Sequence, residues 1–219
     1  MKKYVLLLGL LIQAVSVLAQ ETSVGKSIFS VHAGPSWYLG KMIGITNNSD
    51  AYRNDLRNGI AWDANYYFLG DKYIFGSFKL APGLIYQGGR YKNTHDESSD
   101  KILMHYIAPQ LALFMVKQKY NLSLSTGVGY QHYKDKSFVY GKPRDVSMNK
   151  LAYNLSAGGE YRLSPLVGIS AKLNWIVTSS ESYPVRYHGQ KWQVESPELS
   201  GGGGCFSQLS LLFGMNLHF

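Results

Sequence analysis

The amino-acid sequence predicts an all-β fold, an eight-stranded antiparallel up-and-down transmembrane β-barrel. Three observations lead to this fold class: an export signal at the N-terminus, eight runs in which apolar and small polar residues alternate, and connections that are short and long in turn. The chain has 219 residues, which is enough for one such domain after the signal.

The N-terminus has the composition of a cleaved signal peptide. Lys2 and Lys3 form a short basic patch, residues 4–18 are almost entirely apolar, and small residues lead up to Ala19. A retained anchor helix is the alternative, but the apolar stretch is short for crossing a membrane. We expect a signal peptide over residues 1–19 and a barrel domain over residues 20–219.

Composition excludes several other classes of protein. No run of eighteen apolar residues follows Ala19, although 45% of the chain is hydrophobic, so a membrane helix is excluded while a half-apolar barrel strand is not. Cys205 is the only cysteine, so neither a disulfide nor a lipid attachment site is expected. The histidines are scattered along the chain, and no metal or other cofactor is predicted. The scattered candidates for ligands are His95, His105, His132 and His188.

The chain is basic, with a formal net charge of +8 that falls to +6 when Lys2 and Lys3 leave with the signal. No basic stripe or recognition motif points to nucleic acid. For an exported protein with scattered charges, the expected partner is outer-membrane lipid, including the anionic lipopolysaccharide.

Alternation with a period of two residues recurs in eight runs, as in Val167, Ile169 and Ala171 against Gly168 and Ser170. A band of about 25 Å crossed at a tilt near 40° needs about ten residues per strand, and every run meets that length. The fourth run is more uniformly apolar, so alternation alone does not assign its two faces. The runs cover residues 29–40, 59–68, 74–87, 103–116, 122–131, 151–161, 167–177 and 209–219.

The connections between the runs alternate in length. Those at residues 69–73, 117–120 and 163–166 are tight, which is typical of periplasmic turns. The others are long and polar, as expected of loops on the outer side: residues 41–56, 92–100, 134–147 and 180–204.

The two faces of the runs separate a membrane barrel from a lipocalin, which also has eight up-and-down strands around an apolar cup. Here one face is bulky and apolar while the other is Gly, Ser, Ala and Asn, and only small residues fit a narrow lumen, so the apolar face should meet lipid. Aromatic residues near the run ends predict two interfacial girdles. They are Trp37, Tyr86, Tyr130, Tyr153 and Trp175 on the long-loop side, and Phe68, Tyr161 and Phe219 on the short-turn side.

The C-terminus carries the most specific motif. Gly214, Leu217 and Phe219 resemble the Gly-x-x-Φ-x-Φ pattern that ends outer-membrane barrel proteins, although Leu212 stands where that family usually has a polar residue. Over the whole mature chain the plan is similar to small OmpA/OmpX-type barrels. The resemblance implies a location in the bacterial outer membrane and a partner in the barrel assembly machinery. Unlike the full-length OmpA type, this chain stops at the last predicted strand, so we expect no peptidoglycan-binding domain.

Three prolines fall within predicted strands, where a closed barrel has no free edge for a residue without an N–H group. We expect β-bulges at Pro35, Pro82 and Pro109, with the last two at the same height on adjacent strands.

Charged residues in the predicted lumen should form pairs, because an isolated buried charge is costly. A turn centred on Asp71 places Asp63 opposite Lys79, and Glu160 with Lys172 is a looser diagonal pair. Two charges that do not pair but are solvated by lumenal water are the alternative.

The remaining candidates concern activity. His32 could lie near Ser30, Ser36 and Ser210, but no motif of barrel deacylases or acyltransferases is present, so we predict that the chain is not an enzyme. The fourth outer loop mixes aromatic and cationic residues as binding surfaces do, unless it is only a loop shielded by lipopolysaccharide. Its candidate residues are Tyr183, Arg186, Tyr187, Lys191 and Trp192.

A structural or surface-interaction barrel with long extracellular loops and a largely filled polar lumen is therefore the favoured function. The alternatives are a narrow channel for small or hydrophobic solutes and a component of an envelope secretion or assembly machine.

Overall fold

The structure of the chain is a computed structural model. It describes residues 26–39, 42, 45–47, 49–74, 76–95, 98–180, 182–195 and 204–219. The predicted signal peptide at residues 1–19 lies outside the described residues. No helix in these ranges is long and apolar enough to cross a membrane.

In the described part of the chain, eight long strands form a closed antiparallel barrel, which confirms the predicted fold class. They are β1 (Ser27–Leu39), β2 (Asn58–Phe68), β3 (Phe78–His95), β4 (Ser98–Val116), β5 (Tyr120–Val139), β6 (Lys142–Arg162), β7 (Val167–Val177) and β12 (Ser207–His218). Each strand pairs with the next along the chain, and β12 pairs with both β7 and β1 to close the ring.

The remaining elements lie in the outer connections. Helix α1 (Asp50–Leu56) precedes β2, and its N-terminus is capped by the Ser49 side chain. The segment between β7 and β12 contains β8 (Ser179–Ser180), the hairpin of β9 (Ser182–Tyr187) and β10 (Gln190–Glu195), and β11 (Gly204–Cys205). The hairpin does not stay separate, because β9 pairs with the outer end of β6.

The predicted sidedness is confirmed in the membrane region: bulky apolar side chains are exposed outward and small polar ones are buried inward. The facing of β4 is also settled, since Tyr106, Ala108 and Gln110 point inward while Ile107 and Leu111 point outward. The predicted girdle aromatics Trp37, Tyr86, Tyr130, Tyr153 and Trp175 are all outward and exposed.

The height of the apolar band can be read from one pair of strands. Tyr120 and Tyr161 lie opposite each other near the short turns, and Tyr130 and Leu151 lie opposite each other ten residues along. At ~3.3 Å per residue and a tilt near 40°, this separation spans about 25 Å. The upper boundary is marked by a row of directly opposed residues, Tyr86, Ile107, Tyr130 and Leu151.

The barrel is much taller on one side than on the other. Strands β3 to β6 have 18, 19, 20 and 21 residues, whereas β1, β2, β7 and β12 have 13, 11, 11 and 12. The outer ends of β3 to β6, with the β9–β10 hairpin, form a sheet above the membrane that we call the tall wall.

The predictions of long outer loops at residues 92–100 and 134–147 are therefore wrong. Strand β3 continues to His95, and β4 already begins at Ser98. Strands β5 and β6 are joined by a tight turn at Tyr140 and Gly141, which both have positive φ. Above the membrane most polar residues of the wall face outward, while apolar ones such as Ile102, Met104 and Val146 face inward. Asp100, Asp135 and Ser137 are polar residues that also face inward. The wall is thus mainly polar outside and mainly apolar inside, like a soluble sheet.

The prediction of β-bulges at Pro35, Pro82 and Pro109 is also wrong. The register is the same on both sides of Pro35 in the β1–β12 ladder and of Pro109 in the β4–β5 ladder, so no residue is inserted. Pro82 pairs with Leu111 on β4 and lies beyond the last pair of the β2–β3 ladder. Pro82 and Pro109 are not level, because Pro109 lies opposite Leu84. Each proline is unpaired in the ladder on one side of its strand, where its N–H group would be needed, and is paired in the ladder on the other side.

An apolar cluster closes the outer opening. Met42, Ile45 and α1 residues Tyr52 and Leu56 pack with Phe206 against the inner face of the wall. We call Met42, Ile45, Thr46 and α1 the mouth plug.

Candidate anion-binding wall and filled lumen

Six side chains on the outer face of the tall wall form one continuous row. Lys92 lies opposite Lys101, and Lys101 lies opposite Lys136. The row continues through Asp145 on β6 to the hairpin, and all six residues are exposed. With ~4.8 Å between strands, the cationic row is about 24 Å long. Its members are Lys92, Lys101, Lys136, Asp145, Arg186 and Lys191.

The charges within this row do not balance. Lys92, Lys101 and Lys136 are directly opposed with no carboxylate between them, an arrangement that destabilises a sheet by itself. Among the residues that the structure describes, none of the five cations of the row forms an ion pair. Arg90 and Lys134 lie one step below on the same face and add further positive charge. The surface is thus suited to an anion that bridges neighbouring lysines.

The cationic row lies above the hydrocarbon of the membrane. Lys92 is six residues beyond Tyr86 of the upper boundary, about 20 Å along the strand and about 15 Å in height. The row therefore stands clear of the apolar band, on the outer side of the barrel.

The predicted surface loop is divided between two faces of the β9–β10 hairpin. Arg186 and Lys191 lie opposite each other on the outer face and complete the cationic row. Tyr183 and Tyr187 pack against the apolar cluster beneath the hairpin. Trp192, opposite the buried Val185, is 42% exposed. The cations therefore belong to the outer surface, while the two tyrosines cover the core.

A cleft of about 340 Å³ lies at the junction of the hairpin and the barrel. Lys134, Arg186 and Lys191 line it together with the carboxylate of Asp145 and the hydroxyl of Ser147. Three cations around one carboxylate leave the cleft positively charged.

Two histidines that are far apart in the sequence are neighbours below the cationic row. His105 and His132 lie opposite each other on β4 and β5, and their ring centroids are 6.5 Å apart. The Tyr86 hydroxyl lies 2.8 Å from His105 Nδ1, and His132 Nδ1 lies 2.7 Å from Asn149 Oδ1. No cluster of three or more metal-ligating side chains occurs within the described ranges.

The four predicted lumenal charges are all buried, but the predicted pairs are wrong. Asp63 lies opposite Gln87 instead of Lys79, and it forms its ion pair with Lys172 across the lumen. Its other carboxylate oxygen lies 2.7 Å from His32 Nδ1, and Asn65 donates to the same oxygen at 2.7 Å.

Glu160 and Lys79 also have partners that differ from the prediction. Glu160 Oε1 contacts His218 Nε2, and Glu160 Oε2 accepts a hydrogen bond of 2.8 Å from Asn121. The Lys79 ammonium donates to the Gly70 carbonyl at 3.0 Å and lies 4.6 Å from the centre of the Tyr73 ring. The β2–β3 turn is longer than predicted, because β3 begins only at Phe78, and this shift separates Lys79 from Asp63.

The serines expected near His32 are not its partners. Ser36 and Ser210 bond to each other at 2.8 Å, and Ser36 also contacts the Tyr91 hydroxyl. The hydroxyl at His32 Nε2 belongs to Ser170, 2.8 Å away, which in turn donates to Asn216 at 2.9 Å. The order carboxylate, imidazole, hydroxyl is that of a serine hydrolase, but the adjoining cavity measures only about 40 Å³. That volume holds about three water molecules.

The residues of the predicted assembly signal lie in the strand that closes the barrel. Phe219 exchanges backbone hydrogen bonds of 2.8 and 3.1 Å with Ser27, and its ring is 52% exposed on the outer side. Leu217 pairs with Phe29 and Val167. Gly214 lies between His32 and Ser170, the two residues that bond across it.

No protein-family model matches the chain, and no curated protein sequence matches it. Solved structures do share its fold. A major outer membrane protein from Thermus thermophilus has 15% identity and a TM-score of 0.54, and the match covers 88% of this chain and 99% of that one. Neisserial surface protein A has 11% identity, a TM-score of 0.52 and coverage of 89% and 97%. The third structure is Ail, the attachment invasion locus protein of Yersinia pestis, in complex with the heparin analogue sucrose octasulfate. It has 12% identity and a TM-score of 0.50, and the match covers 89% of this chain and 99% of that one.

With its closed ring of eight strands and its outward apolar band, the chain has the fold of small outer-membrane barrels of the OmpA/OmpX type. The apolar band agrees with the outer-membrane location that the sequence predicts.

Proposed function

We propose that the protein is a surface-interaction barrel that binds the phosphate groups of lipopolysaccharide along its cationic row. The observation that supports this most directly is the opposition of Lys92, Lys101 and Lys136 on adjacent strands, exposed and without an acidic neighbour among them. Such a row is unfavourable in water, and a polyanion that lies across it converts repulsion into attraction.

The position of the row supports lipopolysaccharide as the source of the phosphates. The row lies about 15 Å above the apolar band, where phosphorylated core sugars of the same leaflet surround the barrel. The cleft at Arg186 and Lys191 extends the cationic surface along the hairpin.

The filled lumen favours this function over a channel or an enzyme. The mouth plug closes the outer end, and side-chain pairs such as Asp63 with Lys172 cross the lower lumen. Ser170 faces a cavity too small for an acyl chain. The protein therefore acts through its outside, and its lumen supplies rigidity.

The test uses a variant in which Lys92, Lys101 and Lys136 are all replaced by Gln. Barrels refolded in detergent are titrated with purified lipopolysaccharide carrying phosphorylated core sugars, and binding is followed by fluorescence over a salt series. At about 1 kcal/mol for each lysine, the variant should bind about 100-fold more weakly at low salt. Its free energy of unfolding without lipopolysaccharide should be unchanged or higher, because the repulsion within the row is removed.

The matched control carries the same change of charge on the other side of the membrane, with Lys72, Lys117 and Lys119 replaced by Gln in the short turns. This control should bind like the wild type. Equal loss in both variants, or equal binding of dephosphorylated lipopolysaccharide, would contradict the proposal. Binding of a soluble sulfated glycan without binding of lipopolysaccharide would indicate adhesion to an external polyanion instead.

A further inference from the structure

Two carboxyl groups are buried together on the inner face of the tall wall. Asp100 on β4 and Asp135 on β5 are both 0% exposed, and they lie above the membrane band, beneath the mouth plug. Asp100 Oδ2 accepts three hydrogen bonds from the plug: from the Thr46 amide at 2.9 Å, the Thr46 hydroxyl at 2.7 Å and the Tyr52 hydroxyl at 2.8 Å. Asp100 is thus the polar anchor of the plug.

Two of the other three carboxyl oxygens of the pair lack a hydrogen-bond donor among the described residues. Asp135 Oδ1 accepts the Lys101 amide at 3.2 Å, but within the described residues neither Asp100 Oδ1 nor Asp135 Oδ2 has a hydrogen-bond donor. The two carboxyl groups are diagonal neighbours on the inner face, because Asp100 lies opposite Ser137 and Asp135 lies opposite Ile102. One proton shared between them supplies the missing donor, whereas two ionised carboxylates in contact would repel each other.

The surroundings favour the protonated pair. The groups that face it are Tyr133 on β5, Tyr38 on β1, Tyr52 on α1 and Arg144 on β6, and only Arg144 is cationic. Burial raises the pKa of Asp135 to about 8, and the adjacent charge of Asp100 and their mutual hydrogen bond act in the same direction. Arg144 lowers that pKa but does not offset the burial.

We propose that the Asp100–Asp135 carboxyl pair is a proton-controlled latch for the mouth plug. With one proton on the pair, Asp100 keeps Thr46 and Tyr52 against the wall. Without that proton, two negative charges face each other in a dry site, and the wall releases Thr46, Tyr52 and the apolar residues packed around them.

The direction of the pH dependence follows from linkage. The pKa of Asp135 is raised in the closed state, so the closed plug binds a proton that an open, solvated plug has lost. The stabilisation of the closed plug is therefore complete below the ordinary aspartate pKa of 3.8 and declines until the pH has risen through about 8. The latch is on the inner face and is independent of the cationic row.

The test follows the plug in the full-length mature barrel in nanodiscs. The NMR signal of the Ile45 δ-methyl group, buried in the plug, is recorded from pH 6 to pH 10. The wild-type signal should move from its closed to its open position as the pH rises and should become constant above about pH 8. There the Thr46 amide should exchange with solvent more than tenfold faster than base catalysis alone accounts for. D135N, which keeps a donor toward Asp100 but cannot ionise, should remain closed throughout.

The matched control is D145N, the same change on the outer face of the neighbouring strand. The Ile45 signal of D145N should change with pH as it does in the wild type. A wild-type plug whose Ile45 signal does not change between pH 6 and pH 10, or a D135N variant with an unaltered transition, would overturn the latch. If D135N does not fold, the wild-type and D145N titrations still decide the question.

Discussion

His32 has a different partner at each ring nitrogen, and this shows how the lumen handles charge. Asp63 lies directly opposite it on β2, and Ser170 reaches its other side from β7. Lys172 neutralises Asp63 from across the barrel. Asp63 is thus held by residues from β1, β2 and β7, so this network ties these strands together.

The Asp63–Lys172 pair should be energetically coupled, whereas Asp63 and Lys79 should not. Lys172→Met leaves a buried carboxylate without its cation and should cost about 3–5 kcal/mol of unfolding free energy. Adding Asp63→Asn should recover part of that loss. Urea titrations of reversible folding into bilayers measure the double-mutant cycle. Lys79→Met provides the matched cycle with Asp63→Asn, and a larger coupling there would contradict the observed pairing.

At the scale of single elements, β12 closes the barrel and requires a residue without a side chain at Gly214. A Cβ atom there would lie 1.9 Å from the Val31 carbonyl oxygen and 2.7 Å from His32 Cα. The absence of a side chain allows His32 to reach Ser170 across the strand. This is a packing reason for Gly214 beside its predicted part in the assembly signal, which remains a prediction together with Leu217 and Phe219.

Gly214→Ala should therefore destabilise the folded barrel by about 1–3 kcal/mol, the usual cost of overpacking. Refolding of purified protein without assembly machinery isolates this effect. Gly159→Ala is the control, because a Cβ at Gly159 would meet nothing closer than Leu122 at 3.5 Å. If the two variants are equally stable, the steric account of Gly214 is wrong.

On the scale of the whole molecule, the barrel consists of two zones with opposite polarity. In the membrane zone the outside is apolar and the inside mainly polar. Above the boundary row the outside is cationic and the inside mainly apolar, with the Asp100–Asp135 pair as an exception. The same strands run through both zones, so the solvent outside determines which residues each face carries.

Arginine substitutions on the outer face should reveal the boundary between these zones. Phe213→Arg, in the apolar band, should cost about 2–4 kcal/mol in bilayers. Phe138→Arg, on the tall wall, should cost about 0–1 kcal/mol because that face meets water and sugars. Both phenylalanines are more than half exposed outward, at 54% and 51%, so burial within the protein does not explain a difference. Equal costs in folding titrations would contradict the two-zone description.

The sequence by itself determined the fold class, the number of barrel strands and the facing of the membrane segments. These features follow from local alternation, which reflects whether each residue meets lipid or lumen. It also indicated which residues are lumenal, since Asp63, Lys79, Glu160 and Lys172 are all buried. The mixture of aromatics and cations in the fourth outer loop pointed to a surface whose cations the structure places in the cationic row.

Only the tertiary structure decided which residues meet. Pairing depends on the length of the turns, and β3 begins at Phe78 instead of residue 74, so Asp63 lies opposite Gln87. The sequence predicted Lys92 and Lys136 in two separate loops, at residues 92–100 and 134–147, and Lys101 just after the first loop. The strand pairing instead places the three lysines side by side. Asp100 and Asp135 are 35 residues apart and meet only through the register of β4 and β5. Local alternation gives the face of each residue, but contacts across a barrel depend on turns and closure that no local pattern encodes.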